Sequence, residues 1–261
     1  MDLTTILGIV LSIGGIIGGQ VLEGGHIGSI IQDTAAIIVF GGTIGAVLVG
    51  TPMADVKTGL ALVKTVFLNA KGDDVPKIIK ELIEASQIAR KESILALEKK
   101  LNSFSSPYMQ TIFRFVIDGV DPNTIRDIFE SEIFLEEEHL TAGAKIWEAA
   151  GGYSPTVGII GAVLGLIHVM ENLADTSKLG AGIAVAFVAT VYGVASANLF
   201  FFPFAKKIIR KIKLQAQIKE MILTGAIGIV SGMNPFIIEE KLRAYNPHAH
   251  KDKQGGQGEQ G

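Results

Sequence analysis

Charged side chains leave four long gaps in this chain. Asp2 and Glu23 enclose 20 residues free of Asp, Glu, Lys and Arg, Asp33 and Asp55 enclose 21, Glu148 and Glu171 enclose 22, and Lys178 and Lys206 enclose 27. A helix rises about 1.5 Å per residue, so roughly 20 apolar residues cross a hydrocarbon core about 30 Å thick. The gaps therefore predict four transmembrane helices, over Leu3–Leu22 and about 34–51, 155–170 and 179–204.

Between the second and third gaps the pattern changes. Residues 55–148 carry 28 charged side chains in 94 positions, and apolar residues recur at heptad-like spacing over 75–101, 109–120 and 125–140. That periodicity predicts amphipathic helices outside the membrane. Pro52 ends the second span, while Ser106-Pro107 and Asp121-Pro122 are breaks that each suit the start of a following helix. Glu23-Gly24-Gly25-His26 reads as a tight turn. Lys206-Lys207-Ile208-Ile209-Arg210-Lys211-Ile212-Lys213 opens a basic amphipathic helix after span four. The apolar run 221–233, at 13 residues, is too short to span and reads as a buried helix. Gly232-Met233-Asn234-Pro235 stops it, 236–245 restarts as a short helix, and the polar 246–261 reads as a disordered tail. His248 and His250 in that tail make at most a weak chelate.

The predicted fold class is all-α: a polytopic membrane protein with four transmembrane helices and a helical cytoplasmic domain. Its divisions are 1–53 (spans one and two), 54–150 (cytoplasmic helices), 151–205 (spans three and four), 206–245 (C-terminal cytoplasmic helices) and 246–261 (tail). Composition alone, 48% hydrophobic and 19% charged over 261 residues, suits a very apolar soluble protein equally well, so the placement of charge decides. Twelve of the 23 Lys and Arg fall between Lys57 and Lys145 and ten from Lys206 onward, leaving Lys178 alone elsewhere. Basic residues near spans mark the cytoplasmic side, which puts both termini inside and the connections 23–32 and 171–180 outside. Met1-Asp2-Leu3 lacks a basic n-region, so the first apolar stretch reads as a retained span. Cysteine is absent, which excludes disulfides and thiolate metal sites.

Small residues mark spans three and four: Gly158, Gly161, Ala162 and Gly165, then Gly182, Ala186, Ala189, Gly193 and Ala197. Spacings of three and four place them on one helical face, where backbones can approach closely in lipid. Two arrangements fit, packing within one chain or an oligomer with these spans lining a shared axis. Ion pumps and proton relays keep ionisable groups at membrane depth; here only His168 lies well inside a span, toward the outer end of span three. It reads as an interfacial histidine or, less simply, a proton carrier. Asp33 and Glu171 sit at outer span ends, and Thr190 is a hydroxyl deep in span four, free to bond back to its own helix. Any ion conduction needs a carboxylate from a partner. The chain lacks G-x-x-x-x-G-K-[ST], G-x-S-x-G and H-E-x-x-H patterns, and Glu136-Glu137-Glu138-His139 reads as a solvated acidic face. No enzyme activity, cofactor or metal is expected.

The stretch from Tyr153-Ser154-Pro155-Thr156-Val157-Gly158 through Gly161-Ala162-Val163-Leu164-Gly165 resembles span three of flagellar stator proteins of the motility protein A type (MotA/PomA). Thr190-Val191-Tyr192-Gly193, Ala197-Asn198 and Phe202-Pro203 resemble their span four. Ala89-Arg90-Lys91-Glu92 with Leu97-Glu98 is similar to their rotor-contact helix, and Gly232-Met233-Asn234-Pro235 with Glu239-Glu240-Lys241-Leu242 to their C-terminal helix pair. The resemblance implies a bacterial inner-membrane subunit that converts ion flow into torque. It also implies a ring of five around a dimer of a single-span, peptidoglycan-anchored partner of the motility protein B type (MotB/PomB), which brings the conducting aspartate. Membrane lipid is the other expected partner, and nucleic acid is not one.

Residue by residue, the resemblance gives Pro155 and Pro203 to the inner ends of the ion path, Thr190 to its wall, and Arg90 and Glu98 to contact with the rotor protein FliG. On a single helix, Lys91 and Glu98 would share nearly one stripe, with Arg90 roughly 80° away. Sodium-driven members usually carry threonine where Ala162 stands; an alanine methyl offers Na⁺ no oxygen ligand, so Ala162 favours protons. The alternatives are an energising subunit of the related ExbB/TolQ group, which usually has three spans and its large loop after the first, and a membrane scaffold with no ion flux of its own.

Overall fold

The computed structural model describes residues 2–68 and 75–245, with the side chains of 176–178 set aside. The expected tail 246–261, with His248 and His250, and the Lys178 side chain lie outside the described residues. The helices are α1 (Leu3–Leu22), α2 (Asp33–Ala36), α3 (Gly42–Gly50), α4 (Met53–Phe67), α5 (Val75–Lys91), α6 (Pro107–Ile117), α7 (Pro122–Glu171), α8 (Thr176–Ser196), α9 (Phe202–Val230) and α10 (Pro235–Arg243). There is no strand among the described residues. Four stretches are long and apolar enough to cross a membrane, Leu3–Leu22, Ile27–Gly50 and segments within Pro122–Glu171 and Leu179–Val230.

Two compact units are present, one drawn from Met1–Asn69 and His139–Arg210, the other from Ala70–Glu138 and Lys211–Gly261. In the first unit, Asp2 caps α1 by accepting from the Thr5 backbone N–H at 3.3 Å, and no residue of α1 is buried. Gly24 takes φ +86° in the turn that follows, a conformation that favours glycine. Span two joins α2 to α3 through a π-helical turn, Ile37–Gly41. Crowding by Pro52 holds Thr51 extended (φ −135°, ψ 131°), which ends the span, and α4 begins directly after. Ala35 and Val39 of span two pack on Val188 and Ala189, while Val47 packs on Ile146 and Ala150. A second π-helical turn, Ala197–Phe201, links α8 to α9.

Sequence pattern places the third helical stretch and span three apart, at 125–140 and 155–170; the structure runs them together as the 50-residue α7. Neither Gly151-Gly152 nor Pro155 interrupts it. A Cβ at Gly151 would lie 2.8 Å from the Phe202 ring, so this glycine serves close packing, and α7 continues past Pro155 although the ring removes a backbone donor and crowds the carbonyl one turn earlier.

The second unit has the larger continuous core, with Ile78, Leu82, Phe113, Phe129, Met221 and Ile222 fully buried. Burying each such side chain stabilises the unit by about 1.5–3 kcal/mol. Ser106 and Asp121 cap α6 and α7 as their Pro-linked positions predict: Ser106 Oγ accepts from Met109 N, and Asp121 Oδ2 from Asn123 N and Thr124 N. Gly232 at φ +69° ends α9, and Asn234 caps α10. Burial, then Glu132 and Glu136, pushes the Tyr108 phenol above its usual range.

The 75–101 stretch departs from the single amphipathic helix that its heptad spacing predicts. Helix α5 stops at Lys91, Ser93 is extended (φ −178°, ψ 167°), and Ile94–Ser103 continues as 3₁₀ helix. Ile94 and Leu97, three residues apart, suit the three-residue turn, and Leu97 is fully buried. Lys91 and Glu98 therefore share no helical stripe.

Candidate functional site

Spans three and four form a tight antiparallel pair of α7 and α8. A Cβ placed on Gly158 would lie 2.8 Å from the Ala189 carbonyl oxygen and 3.2 Å from Gly193 Cα. On Gly165 it would meet Gly182 O at 2.7 Å and Ala186 N at 2.8 Å, and on Gly193 Ser154 O at 2.6 Å. Only glycine allows backbones this close. The small-residue stripe is thus used for packing inside one chain. Ser154 and Ser196 lock the pair through buried hydroxyls 2.7 Å apart, and Ser196 Oγ donates on to Gly193 O at 3.2 Å. That hydroxyl chain leaves neither serine unsatisfied.

Gly161 would place a Cβ 2.7 Å from that of Ala189, so these two residues face each other. Ala162 and Thr190 each come one residue later, about 100° round their helices. Because the helices are antiparallel, those rotations carry both side chains to the same side of the pair, at the same level. Pro155, seven residues before Ala162, lies on this side too. Span two covers the opposite side, through Val157 against Gly42 and Ile38 against Gly161. The side bearing Pro155, Ala162 and Thr190 stays open in this chain, and Phe187 there is 72% exposed.

The structure thus gathers three of the four ion-path candidates and separates the fourth. Thr190 Oγ1 donates to Ala186 O at 3.2 Å, so the hydroxyl proton is committed and its lone pairs remain for an incoming donor or cation. Pro203 is exposed and borders a different, 270 Å³ pocket with Thr5, Ser12, Asn198 and Lys207. Lys207 there pairs with Asp2 at 2.7 Å and donates to Thr5 Oγ1. The Lys207 ammonium, then the Thr4 hydroxyl, hold the Asp2 carboxyl well below the usual carboxylate range. Arg90 and Glu98 are both exposed, on α5 and on the 3₁₀ segment. His168 borders a 380 Å³ pocket with Gln32 and Gly182, and Asp33 is exposed at the start of α2. No cluster of three metal-ligating side chains occurs among the described residues.

Sequence reasoning missed the Ser154–Ser196 pair, although each serine lies beside a member of the small-residue face. It also missed Tyr192, whose hydroxyl donates to Ile30 O at 2.8 Å and accepts from Gln32 N at 3.2 Å, tying span four to the start of span two. The ring stacks on Phe40 at 5.9 Å. A long-range anchor of this kind has no local sequence signal.

A four-span helical membrane protein with a glycine-packed pair, an open side carrying proline and hydroxyl, and no carboxylate at that depth has the architecture of a channel subunit. Residues 97–221 match the MotA/TolQ/ExbB proton channel family, and residues 6–93 match the motility protein A N-terminal family. Motility protein A of Bacillus subtilis (strain 168) is 34% identical over 259 residues, covering 99% of this chain and 96% of its own. Motility protein A of Helicobacter pylori (strain ATCC 700392 / 26695) is 36% identical over 245 residues, 94% of this chain and 95% of that one. A chain of the flagellar MotAB stator complex from Bacillus subtilis superposes with a TM-score of 0.88 at 33% identity, covering 97% of this chain and 99% of that one. The chain belongs to the MotA/TolQ/ExbB proton channel family and, within it, to the motility protein A flagellar stator subunits.

Proposed function

We propose that this stator subunit conducts protons along the open side of the α7–α8 pair and turns their passage into torque on the flagellar rotor. The observation that carries this reading is the gathering of Pro155, Ala162 and Thr190 on one uncovered side at a depth without Asp or Glu. A second chain, single-span by the family resemblance, must supply the titrating carboxylate, and the solved MotAB relative supports a MotB-type partner. Five copies of this chain surround a dimer of that partner, in a bacterial inner membrane with both termini in the cytoplasm. Ala162 lends no oxygen to a bare Na⁺, whereas a proton needs only water and the partner carboxylate. Pro203 shapes the inner end of span four, while Arg90 and Glu98 meet the rotor protein FliG.

Deletion of the gene should leave flagella assembled but paralysed, and re-expression of the chain should restore swimming. A deletion strain that swims normally, or that loses outer-membrane transport instead of motility, would contradict the stator reading. The match of residues 6–93 to the motility protein A N-terminal family supports it over an ExbB/TolQ-type role.

A further inference from the structure

The first unit carries an apolar cavity of about 570 Å³ on the side of span two. Phe40, Thr43 and Val47 form one wall, and Trp147, Ala150 and Phe201 the other. Its volume lies within the roughly 300–1,000 Å³ of small-ligand sites. At one end it continues onto α4, where Val56 and Leu60 line it and Leu60 is 57% exposed. The Trp147 indole N–H donates to Gly59 O at 2.9 Å, which fixes the ring at that end. Indoles concentrate where hydrocarbon meets headgroup.

Charge is arranged beside this mouth. Lys57 and Lys64 are exposed on α4 and, seven residues apart, share one stripe. That stripe lies about 60–80° round the helix from the Val56–Leu60 line. An apolar furrow that runs from span depth to an interfacial helix flanked by two lysines matches one acyl chain and the anionic head of a lipid. We infer that this furrow is a binding site for an anionic phospholipid of the cytoplasmic leaflet, its acyl chain along Phe40 to Trp147 and its phosphate beside Lys57 and Lys64. The inference rests on the cytoplasmic placement of α4 proposed above. The lipid would brace span two against the segment of α7 that leads to Pro155.

Trp147 is the single tryptophan of the chain, so its fluorescence reports on this furrow alone. The full chain would be reconstituted in vesicles in which acyl-brominated phosphatidylglycerol or acyl-brominated phosphatidylcholine replaces the unbrominated lipid stepwise. Each lysine near an anionic surface favours binding by roughly fivefold, so quenching should favour phosphatidylglycerol by about fivefold or more. Lys57→Gln with Lys64→Gln should bring that ratio close to one. Ala150→Phe, which fills the furrow, should weaken quenching by either lipid, and the lysine variants keep the test intact should it fold poorly. Equal quenching by the two lipids, or a preference that survives the double lysine variant, would overturn the site. Absence of quenching by both would mean that protein, a second copy or a partner, covers the furrow. Lys57→Cys in this cysteine-free chain, labelled with an impermeant reagent, separately tests the placement: labelling from outside sinks the topology rather than the lipid contact.

Discussion

Replacing Gly193 with alanine should damage the membrane unit more than its size suggests. The new Cβ would lie 2.6 Å from Ser154 O, 3.1 Å from Gly158 Cα and 3.2 Å from Pro155 Cα, all backbone atoms that cannot swing away. Ordinary contact begins near 3.4 Å, so α7 and α8 must part by close to 0.8 Å. A gap of roughly 0.5–1 Å forfeits a quarter to a half of each dispersion contact. Overpacking of this kind costs about 1–3 kcal/mol, and alanine's better helix propensity returns about 1 kcal/mol. The net loss is therefore up to about 2 kcal/mol, or roughly 2–4 °C of melting temperature per kcal/mol. Gly152→Ala on the facing helix α7 is the control, because nothing lies within 4 Å of its Cβ position. Thermal unfolding of the purified protein in detergent, followed by circular dichroism, would measure both. A Gly193→Ala protein that melts as high as the Gly152→Ala protein would refute the close-packing argument, as would a Gly152→Ala protein that melts several degrees below the parent.

Thr190→Val should leave assembly intact but cut swimming and proton flux at least tenfold, whereas Thr190→Ser should retain them; a freely swimming valine variant would remove Thr190 from the ion path. Reversing the charges at Arg90 and Glu98 together should stop motility at normal protein levels, because exposed charges contribute little to stability; unchanged swimming in that variant would contradict a rotor contact. Swimming speed at fixed pH should be indifferent to Na⁺ and abolished by a protonophore, and a steep rise with Na⁺ that survives the protonophore would sink the assignment from Ala162. Asp2→Asn should loosen the clasp on Lys207. Because the Asp2 carboxyl titrates below the ordinary value near 3.9, the clasp contributes fully above that pH and fades only in stronger acid. The parent-minus-variant difference in melting temperature should therefore stay flat from about pH 5 to 8, and a difference that vanishes near pH 6 would contradict the ion pair.

The span pattern was legible because lipid imposes it: a helix must be apolar for about 20 residues to cross, and the charge gaps around Leu3–Leu22 mark α1 to the residue. The caps at Ser106 and Asp121 and the buried run beginning at Met221 were likewise readable from local chemistry. The break after Lys91 was not, because apolar residues spaced to suit a heptad also suit a turn of α-helix followed by 3₁₀ helix. The small-residue face was visible as a face, but its partner was not, since spacing on one helix cannot say which backbone lies across from it. Contact between Gly161 and Ala189 answers that and turns Ala162 and Thr190 to one side. Family likeness gives Pro155 and Pro203 to the inner ends of spans three and four, and the structure places Pro203 just after the π-helical turn Ala197–Phe201, bordering a pocket with Thr5 and Asn198.

Proton uptake by liposomes tests the central claim most directly. The purified chain would be reconstituted alone, with the proposed single-span partner, and with that partner carrying asparagine in place of the aspartate proposed to conduct, under an imposed potential. The account predicts flux only from the second preparation, because the side of the α7–α8 pair that carries Ala162 and Thr190 offers a wall without a titrating group. Equal flux from the chain alone would contradict it and would turn attention to His168 as an internal relay.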